Sequence, residues 1–278
     1  MSTSYHFALL GQGIGYSKSP DLYKAIAREL KITVTFDLRS IEPADLDAHI
    51  AQLQGDKYHG FALTIPFKKQ ILPHLAGLSD DAKAIGSVNC VKITGDRLEG
   101  HNTDSTGFMA PLMMELDRIR NARILIIGTG GAALASIYAL VRATSPKHLC
   151  VLGRQIETHR EELSRVAGST ELELVDWTKA GTLAEQFELI VNCTPLGGWN
   201  QPGRLPIPPQ TPIGPTTVYY DLNYNRPNRA VEFARMHGCI AIDGSSMLIA
   251  QGIKAFEIWT GKTVPFEPIC NAVFEKKS

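Results

Sequence analysis

An α/β fold is what this sequence predicts, and three observations predict it. Short apolar runs of strand character alternate with amphipathic stretches along nearly the whole chain. From residue 122 the strands become near-continuous apolar runs, "ARILIIG", "HLCVLG" and "FELIVN", the pattern of a parallel sheet covered on both faces. Between the first of these runs and an apolar helix stands a glycine turn, "GTGGA". Hydrophobic residues make up 44% of the 278 positions, enough for one large domain or two ordinary ones.

The elements follow in order. "YHFALLG" reads as a strand and "SPDLYKAIARELK" as a helix, with Ser19 as N-cap and Pro20 in its first turn. "TVTFDLRSI" is a second strand and "EPADLDAHIAQLQ" a second helix. "GFALTI" is a third strand, ended by Pro66, followed by helical "KKQILPHL" and "SDDAKAIGS". "NCVKI" and "RLEGHN" form a strand pair around "TGD", and "STGFMAPLMMELD" has helical spacing. After residue 122 strands and helices alternate through "THREELSRVA", "LELVDW", "VYYDLNY", "NRAVEFARMHG" and "CIAID". The Pro- and Gly-rich "PLGGWNQPGRLPIPPQTPIGP" reads as a covering or mobile loop. "SSMLIAQGIKAFEIWTG" is a long amphipathic helix.

Charge and composition exclude several classes. The formal net charge is zero, so nothing draws the chain to nucleic acid or to an anionic membrane surface. No apolar run approaches the ~20 residues of a membrane span. The N-terminus lacks the basic and apolar regions of a signal peptide, so a cytoplasmic protein is expected. The five cysteines never fall in C-x-x-C spacing and read as buried free thiols. The eight histidines form no ligand pattern, and no metal site is expected.

The glycine turn carries chemistry. Gly128 permits the tight turn, Gly130 lets backbone approach a pyrophosphate, and the helix after Gly131 presents free N–H groups. Ala133 replaces the third glycine of G-x-G-x-x-G. At the next strand end stands Arg154, with no acid until Glu157, which favours the 2′-phosphate of NADP over the bare ribose of NAD. Arg160, one helical turn or so further, would support it. Elsewhere "GFALTIPFKK" delivers Lys68 and Lys69 immediately after a strand. Taken alone these lysines read as solvated charges, and Asp104 in "NTDST" reads as a helix cap.

Several separated stretches together resemble the shikimate dehydrogenase family. G-x-P-I-x-H-S-x-S-P is similar to "GQGIGYSKSP", N-V-T-x-P-[FH]-K to "ALTIPFK", and A-[VI]-N-T to "SVNC". G-x-N-T-D-x-x-G resembles "GHNTDSTG", G-x-G-G-[AS] "GTGGA", and N-x-T-x-x-G "NCTPLG". D-x-x-Y-x-P resembles "DLNYNRP", and G-x-x-M-L-x-x-Q with W-x-G resembles "GSSMLIAQ" and "WTG". Eight matches in the family's order span residues 11 to 261.

The resemblance implies two α/β domains around a cleft. An N-terminal substrate domain, 1–105, is completed by the C-terminal helices 246–278, and a Rossmann-type NADP domain occupies 106–245. It implies reversible hydride transfer between shikimate and 3-dehydroshikimate, by a monomer or homodimer. Ser17 and Ser19 would hold the substrate carboxylate, with Tyr224 near it; Thr64, Asn89, Asp104 and Gln251 would hold ring hydroxyls. Lys68 and Asp104 fall on the catalytic pair. Gly128, Gly130, Gly131, Ala132, Arg154, Asn192, Thr194 and Met247 fall on cofactor positions. A secondary alcohol that loses hydride must also lose its hydroxyl proton, which requires a base or proton relay nearby. Burial lowers a lysine's pKa and a neighbouring aspartate raises it.

The chain departs from the pattern at Gly13, at Tyr16, at Ala62, and at Gly153-Arg154-Gln155, where the family has N-R-T. Two alternatives follow: a quinate/shikimate dehydrogenase-like relative using NAD or another hydroxylated cyclohexane carboxylate, and a non-catalytic ligand sensor. Retention of both Lys68 and Asp104 weighs against the sensor.

Overall fold

The computed structural model describes residues 4–199, 201–224 and 227–274. The chain opens with β1 (Ser4–Gly11), α1 (Ser19–Leu30), β2 (Thr33–Ser40), α2 (Leu46–Gly55) and β3 (Gly60–Leu63). Next come α3 (Phe67–Gln70), β4 (Gly77–Leu78), α4 (Asp80–Ile85), β5 (Cys90–Thr94), β6 (Arg97–His101) and α5 (Asp104–Leu112). A short α6 (Leu116–Ile119) leads to β7 (Arg123–Ile127), α7 (Gly131–Thr144), β8 (His148–Gly153), α8 (Arg160–Ala167) and β9 (Leu172–Asp176). β10 (Leu189–Asn192), β11 (Val218–Asp221), α9 (Arg229–Met236), β12 (Ile240–Ile242), α10 (Ser245–Thr260) and α11 (Phe266–Phe274) complete it.

Two compact units result. The first holds the chain through Gly107 and again from Leu248, and the second holds Phe108–Met247. In the first, the sheet order is β2-β1-β3-β5-β6-β4. β1 runs parallel to β2 and β3, whereas β5 is antiparallel to both β3 and β6. Successive side chains of β1 point to opposite faces. Phe7 joins Leu22, Tyr23, Ile253, Phe256 and Trp259 in one core; Ala8 and Leu10 join Ile50, Leu53, Phe61 and Phe67 in the other. α10 is tied to this sheet by polar bonds as well. Trp259 Nε1 donates to the Val91 carbonyl at 2.9 Å, and Tyr23 Oη donates to the Gly252 carbonyl at 3.2 Å.

The second unit has a wholly parallel sheet, β12-β11-β10-β7-β8-β9. Ile124, Leu125, Ile126 and Ile127 are all fully buried. A strand flanked by strands and covered on both faces has no polar side to show, which explains the unbroken apolar run.

Two details differ from the sequence expectations, and the open reading of one loop is decided. Ser19 is the first residue of α1, not its N-cap; that position is Lys18, which makes no side-chain capping bond. Instead Ser17 Oγ, two residues before the expected cap, accepts the Ser19 amide at 3.2 Å. The helix expected across residues 105–117 stops at Leu112, one residue after Pro111, whose missing N–H removes a helical bond. The Pro- and Gly-rich loop, apart from Asn200, which lies outside the described residues, is packed as a cover. Ile207 and Thr211 are buried, and Ile207 joins the core of Leu125, Leu152 and Tyr219.

Candidate functional site

The first unit gathers its chemistry at one sheet edge. β1, β2 and β3 run in the same direction, and their carboxyl ends Gly11, Ser40 and Leu63 lie side by side. After β1 the chain goes to β2, then returns past β1 to β3. The strand order therefore reverses at β1, the place where open α/β sheets bind ligands. Antiparallel β5 begins at this end and β6 finishes there, with Ala62 opposite Cys90 and Cys90 opposite His101. Residues before β5 and after β6 are thereby delivered to the same edge as those after β3.

Those residues are Asn89, Asp104 and Lys68. Lys68 Nζ donates to Asp104 Oδ2 at 2.5 Å, the two side chains being 17% and 8% exposed. Asn89 Nδ2 donates to Asp104 Oδ1 at 2.8 Å, while Asn89 Oδ1 accepts the Thr103 amide at 2.7 Å. The backbone fastens the three segments to each other. Val88 N donates to the Lys68 carbonyl, Leu63 N to the Asn89 carbonyl and Asn89 N to the His101 carbonyl. Because desolvation offsets most of its Coulomb energy, a largely buried ion pair adds little net stability.

The helix-cap reading of Asp104 is settled by its neighbours. Asn102 Oδ1 accepts the Asp104 amide at 3.1 Å and so serves the start of α5. The Asp104 carboxylate is left to Lys68 and Asn89, in the first helical turn, where the helix dipole favours negative charge. Asn102 and Thr103 went unassigned in the sequence; "NTD" pointed to them only as capping residues.

The first unit holds the other substrate-side candidates as well. Ser17 Oγ donates to Ser19 Oγ at 3.1 Å, at the N-terminus of the 12-residue α1. Thr64 N donates to the Leu10 carbonyl and Gln12 N to the Ile65 carbonyl, tying the serine loop to the Thr64–Pro66 turn. A Cβ at Gly11 would collide with Thr64 Cγ2 and Ile14 Cγ2, so the two loops meet only because residue 11 is glycine. Gly13 has φ +64, a conformation closed to the proline of the family pattern, and Tyr16 is exposed. Gln251 stands on α10 with Nε2 donated to the Leu248 carbonyl at 2.9 Å. His101 is half-buried with Nε2 unpartnered, and burial holds its pKa below the usual 6.5. Ala62 is half-buried in β3.

The second unit has its own reversal of strand order, at β7 and β10. Gly128 follows β7 with φ +118, and a Cβ added to it would stand 3.1 Å from Thr194 Cγ2, so the glycine turn adjoins the loop after β10. A Cβ at Gly130 would meet nothing within 4 Å, and α7 has no side-chain cap. Space and free N–H groups therefore stand together at the start of a 14-residue helix, which fits a pyrophosphate. Ala132 is half-buried in its first turn. Gly153 packs on Thr129, and Arg154 beyond it is exposed and forms no ion pair among the described residues. Arg160 does not share that freedom: Nε and Nη2 bind Glu157 at 2.7 and 2.9 Å, and this pairing holds the Glu157 carboxyl below its usual range.

Asn192 is fully buried with every polar atom engaged. Nδ2 donates to the Leu196 carbonyl and to Asp221, while Oδ1 accepts Thr194 N and Oγ1. It shapes the loop, whereas Thr194 faces the glycine turn. Met247 is buried, and Tyr224, half-buried, belongs to the second unit. Of the five free cysteines, Cys90, Cys150 and Cys239 are buried, Cys193 and Cys270 half-buried. Among the described residues no group of three His, Cys, Asp or Glu side chains is placed to hold a metal, and no helix is long and apolar enough to cross a membrane.

Residues 9–91 match the family model of the shikimate dehydrogenase substrate binding domain, and residues 244–274 that of the shikimate 5′-dehydrogenase C-terminal domain. A shikimate dehydrogenase (NADP(+)) of Clostridium botulinum is 32% identical over 256 residues, 92% of this chain and 96% of that one. The shikimate 5-dehydrogenase of Thermus thermophilus, solved in complex with NADP(H) and shikimate, has a TM-score of 0.82 at 28% identity, covering 97% of this chain and 98% of that chain. That of Listeria monocytogenes, solved with shikimate and NAD, has a TM-score of 0.84 at 26% identity, covering 98% and 96%.

Proposed function

The chain belongs to the shikimate dehydrogenase family, and on that premise we propose that it interconverts shikimate and 3-dehydroshikimate with NADP, using Lys68 and Asp104 as the catalytic pair. The observation that carries the reading is the hydrogen-bonded row Lys68–Asp104–Asn89 at the carboxyl edge of the first sheet. Bound at the glycine turn, the nicotinamide cofactor supplies the hydride acceptor or donor. Lys68 Nζ, as the neutral amine, takes the hydroxyl proton as the alcohol becomes a ketone, and the ammonium so formed returns it in reverse. Asp104 Oδ2 keeps Nζ in place and stabilises the ammonium that forms. Asn89 fixes the other Asp104 oxygen, so the carboxylate cannot swing away from Lys68. Ser17 and Ser19, at the start of α1, receive the substrate carboxylate; Thr64 and Gln251 receive ring hydroxyls. Tyr224 also serves the substrate. Gly128, Gly130, Gly131, Ala132, Thr194 and Met247 border the cofactor, with Arg154 on its 2′-phosphate.

One observation favours a second reading, acceptance of NAD and of quinate-like substrates. Arg160 is taken by Glu157, so of the two arginines considered for the phosphate only Arg154 forms no ion pair among the described residues. Gly13 and Ala62 also alter the substrate loops. The decisive assay follows nicotinamide absorbance with shikimate and with quinate, each with NADP+ and NAD+. Fastest turnover is expected with shikimate and NADP+. Shikimate binding by calorimetry without turnover in any pairing would leave a sensor in place of an enzyme.

A further inference from the structure

Asp221 ends β11 with its side chain wholly buried. Four donors surround it. Oδ2 accepts Asn192 Nδ2 at 3.2 Å and Tyr219 Oη at 3.1 Å, and Oδ1 accepts the Asn223 amide at 2.9 Å and its Nδ2 at 2.7 Å. All four are uncharged, and among the described residues no lysine, arginine or histidine forms an ion pair with it. A buried carboxylate without a counter-charge is costly. Burial accordingly pushes the Asp221 carboxyl above its usual range.

What the two asparagines do with their remaining bonds shows why the cost is retained. Asn223 Nδ2 also donates to the Thr194 and Leu196 carbonyls at 3.0 and 3.3 Å. Asn192 Nδ2 donates to the Leu196 carbonyl at 2.9 Å, and Asn192 Oδ1 accepts Thr194 N and Oγ1. Both asparagines thus grip the turn after β10, and Asp221 grips both asparagines. That turn puts Thr194 Cγ2 against Gly128. A neutral amide at position 221 could not replace the carboxylate, because it accepts at one atom while the donors approach both.

We infer that Asp221 is a positioning residue for the cofactor, acting through Asn192 and Asn223 to hold the 194–196 turn against the glycine turn. The inference rests on the reading that this glycine turn receives NADP. The assignment also changes the part played by Asn192, from a cofactor contact to a link between Asp221 and Thr194.

Three variants test it: Asp221→Asn, Asn223→Ala and Tyr219→Phe. NADP+ affinity is measured by fluorescence titration, KM for NADP+ and for shikimate by turnover, and folding by the thermal unfolding midpoint. Asp221→Asn and Asn223→Ala should each weaken NADP+ binding by about tenfold and leave the shikimate KM unchanged. Tyr219→Phe removes a donor that does not reach the turn, so NADP+ binding should change by less than about twofold. The Asp221→Asn, Asn223→Ala double variant should bind NADP+ no more weakly than the worse single, because one linkage is being broken twice. A lowered unfolding midpoint with NADP+ affinity unchanged would overturn the inference and leave Asp221 a folding residue only. If Asp221→Asn does not fold, Asn223→Ala decides by itself. Wild-type protein that binds no NADP+ would remove the cofactor reading too, whereas wild-type binding with unaltered variants removes the inference alone.

Discussion

In the first unit the proposed working groups are side chains, carried to one sheet edge by three separate segments: Lys68 after β3, Asn89 before β5 and Asp104 after β6. In the second unit they are mainly main-chain N–H groups, exposed where a glycine turn opens a helix, with a buried polar network holding the adjoining loop. The difference teaches where each site is vulnerable. A side-chain site should lose its chemistry when one functional group is deleted while the backbone stands. A main-chain site should resist most deletions and fail when a side chain is added.

The sharpest break should come from Lys68→Ala. Loss of the proton-transferring group should lower kcat by ~100-fold or more, with KM for shikimate moving much less; comparable loss in KM alone would mean a binding lysine. The opposite manipulation is Gly128→Ala, where adding one methyl at φ +118 forces strain. It should destabilise the protein by about 1–3 kcal/mol and raise KM for NADP+, and an unfolding midpoint equal to wild type would contradict it. Arg154→Ala should raise KM for NADP+ by about tenfold, roughly the worth of one charged hydrogen bond, with NAD+ unaffected. Equal effects on both cofactors would take Arg154 away from the phosphate.

A weaker effect tests the edge of the first site through pH. Burial holds His101 below the usual 6.5, so the folded protein keeps it neutral where the unfolded chain already binds a proton. Stability from this residue is therefore present above pH 6.5 and lost as pH falls from there through the lower folded value. His101→Phe should flatten the decline of the unfolding midpoint between pH 6.5 and that lower value, leaving a residual slope from His59, whose pKa burial also lowers. A slope identical to wild type would exclude His101 as a contributor. Smallest of all, Lys69→Ala should leave kcat nearly unchanged; damage equal to that of Lys68→Ala would mean that the two lysines were assigned the wrong way round.

Much of this was legible along the chain. The apolar runs from Arg123 onward announce a parallel sheet because strands buried on both faces cannot alternate. The "GTGGA" turn announces its own use because only glycine allows φ +118 at Gly128 and open space before Gly130. Motif order brought Lys68 and Asp104 together as a pair. Other features stayed hidden. Asp221 and Asn223 stood inside "DLNYNRP" without a role, since a carboxylate holding two asparagines 29 and 2 residues away has no local signature. Arg160 seemed free to assist Arg154 until its bidentate bond to Glu157 was seen.

By itself, then, the sequence determined the element types, the parallel character of the second sheet and the residue kinds at both sites. These follow from local causes: periodicity of burial, the φ range of glycine, and the lost N–H of proline. Only the tertiary structure decided which functional groups touch. Antiparallel β5 and β6 return Asn89 and Asp104 to the edge where Lys68 waits, and β10 and β11 lay Asn192 beside Asp221. Such meetings depend on strand order and register, which no single segment encodes, because hydrogen-bonded ladders join residues far apart in the chain.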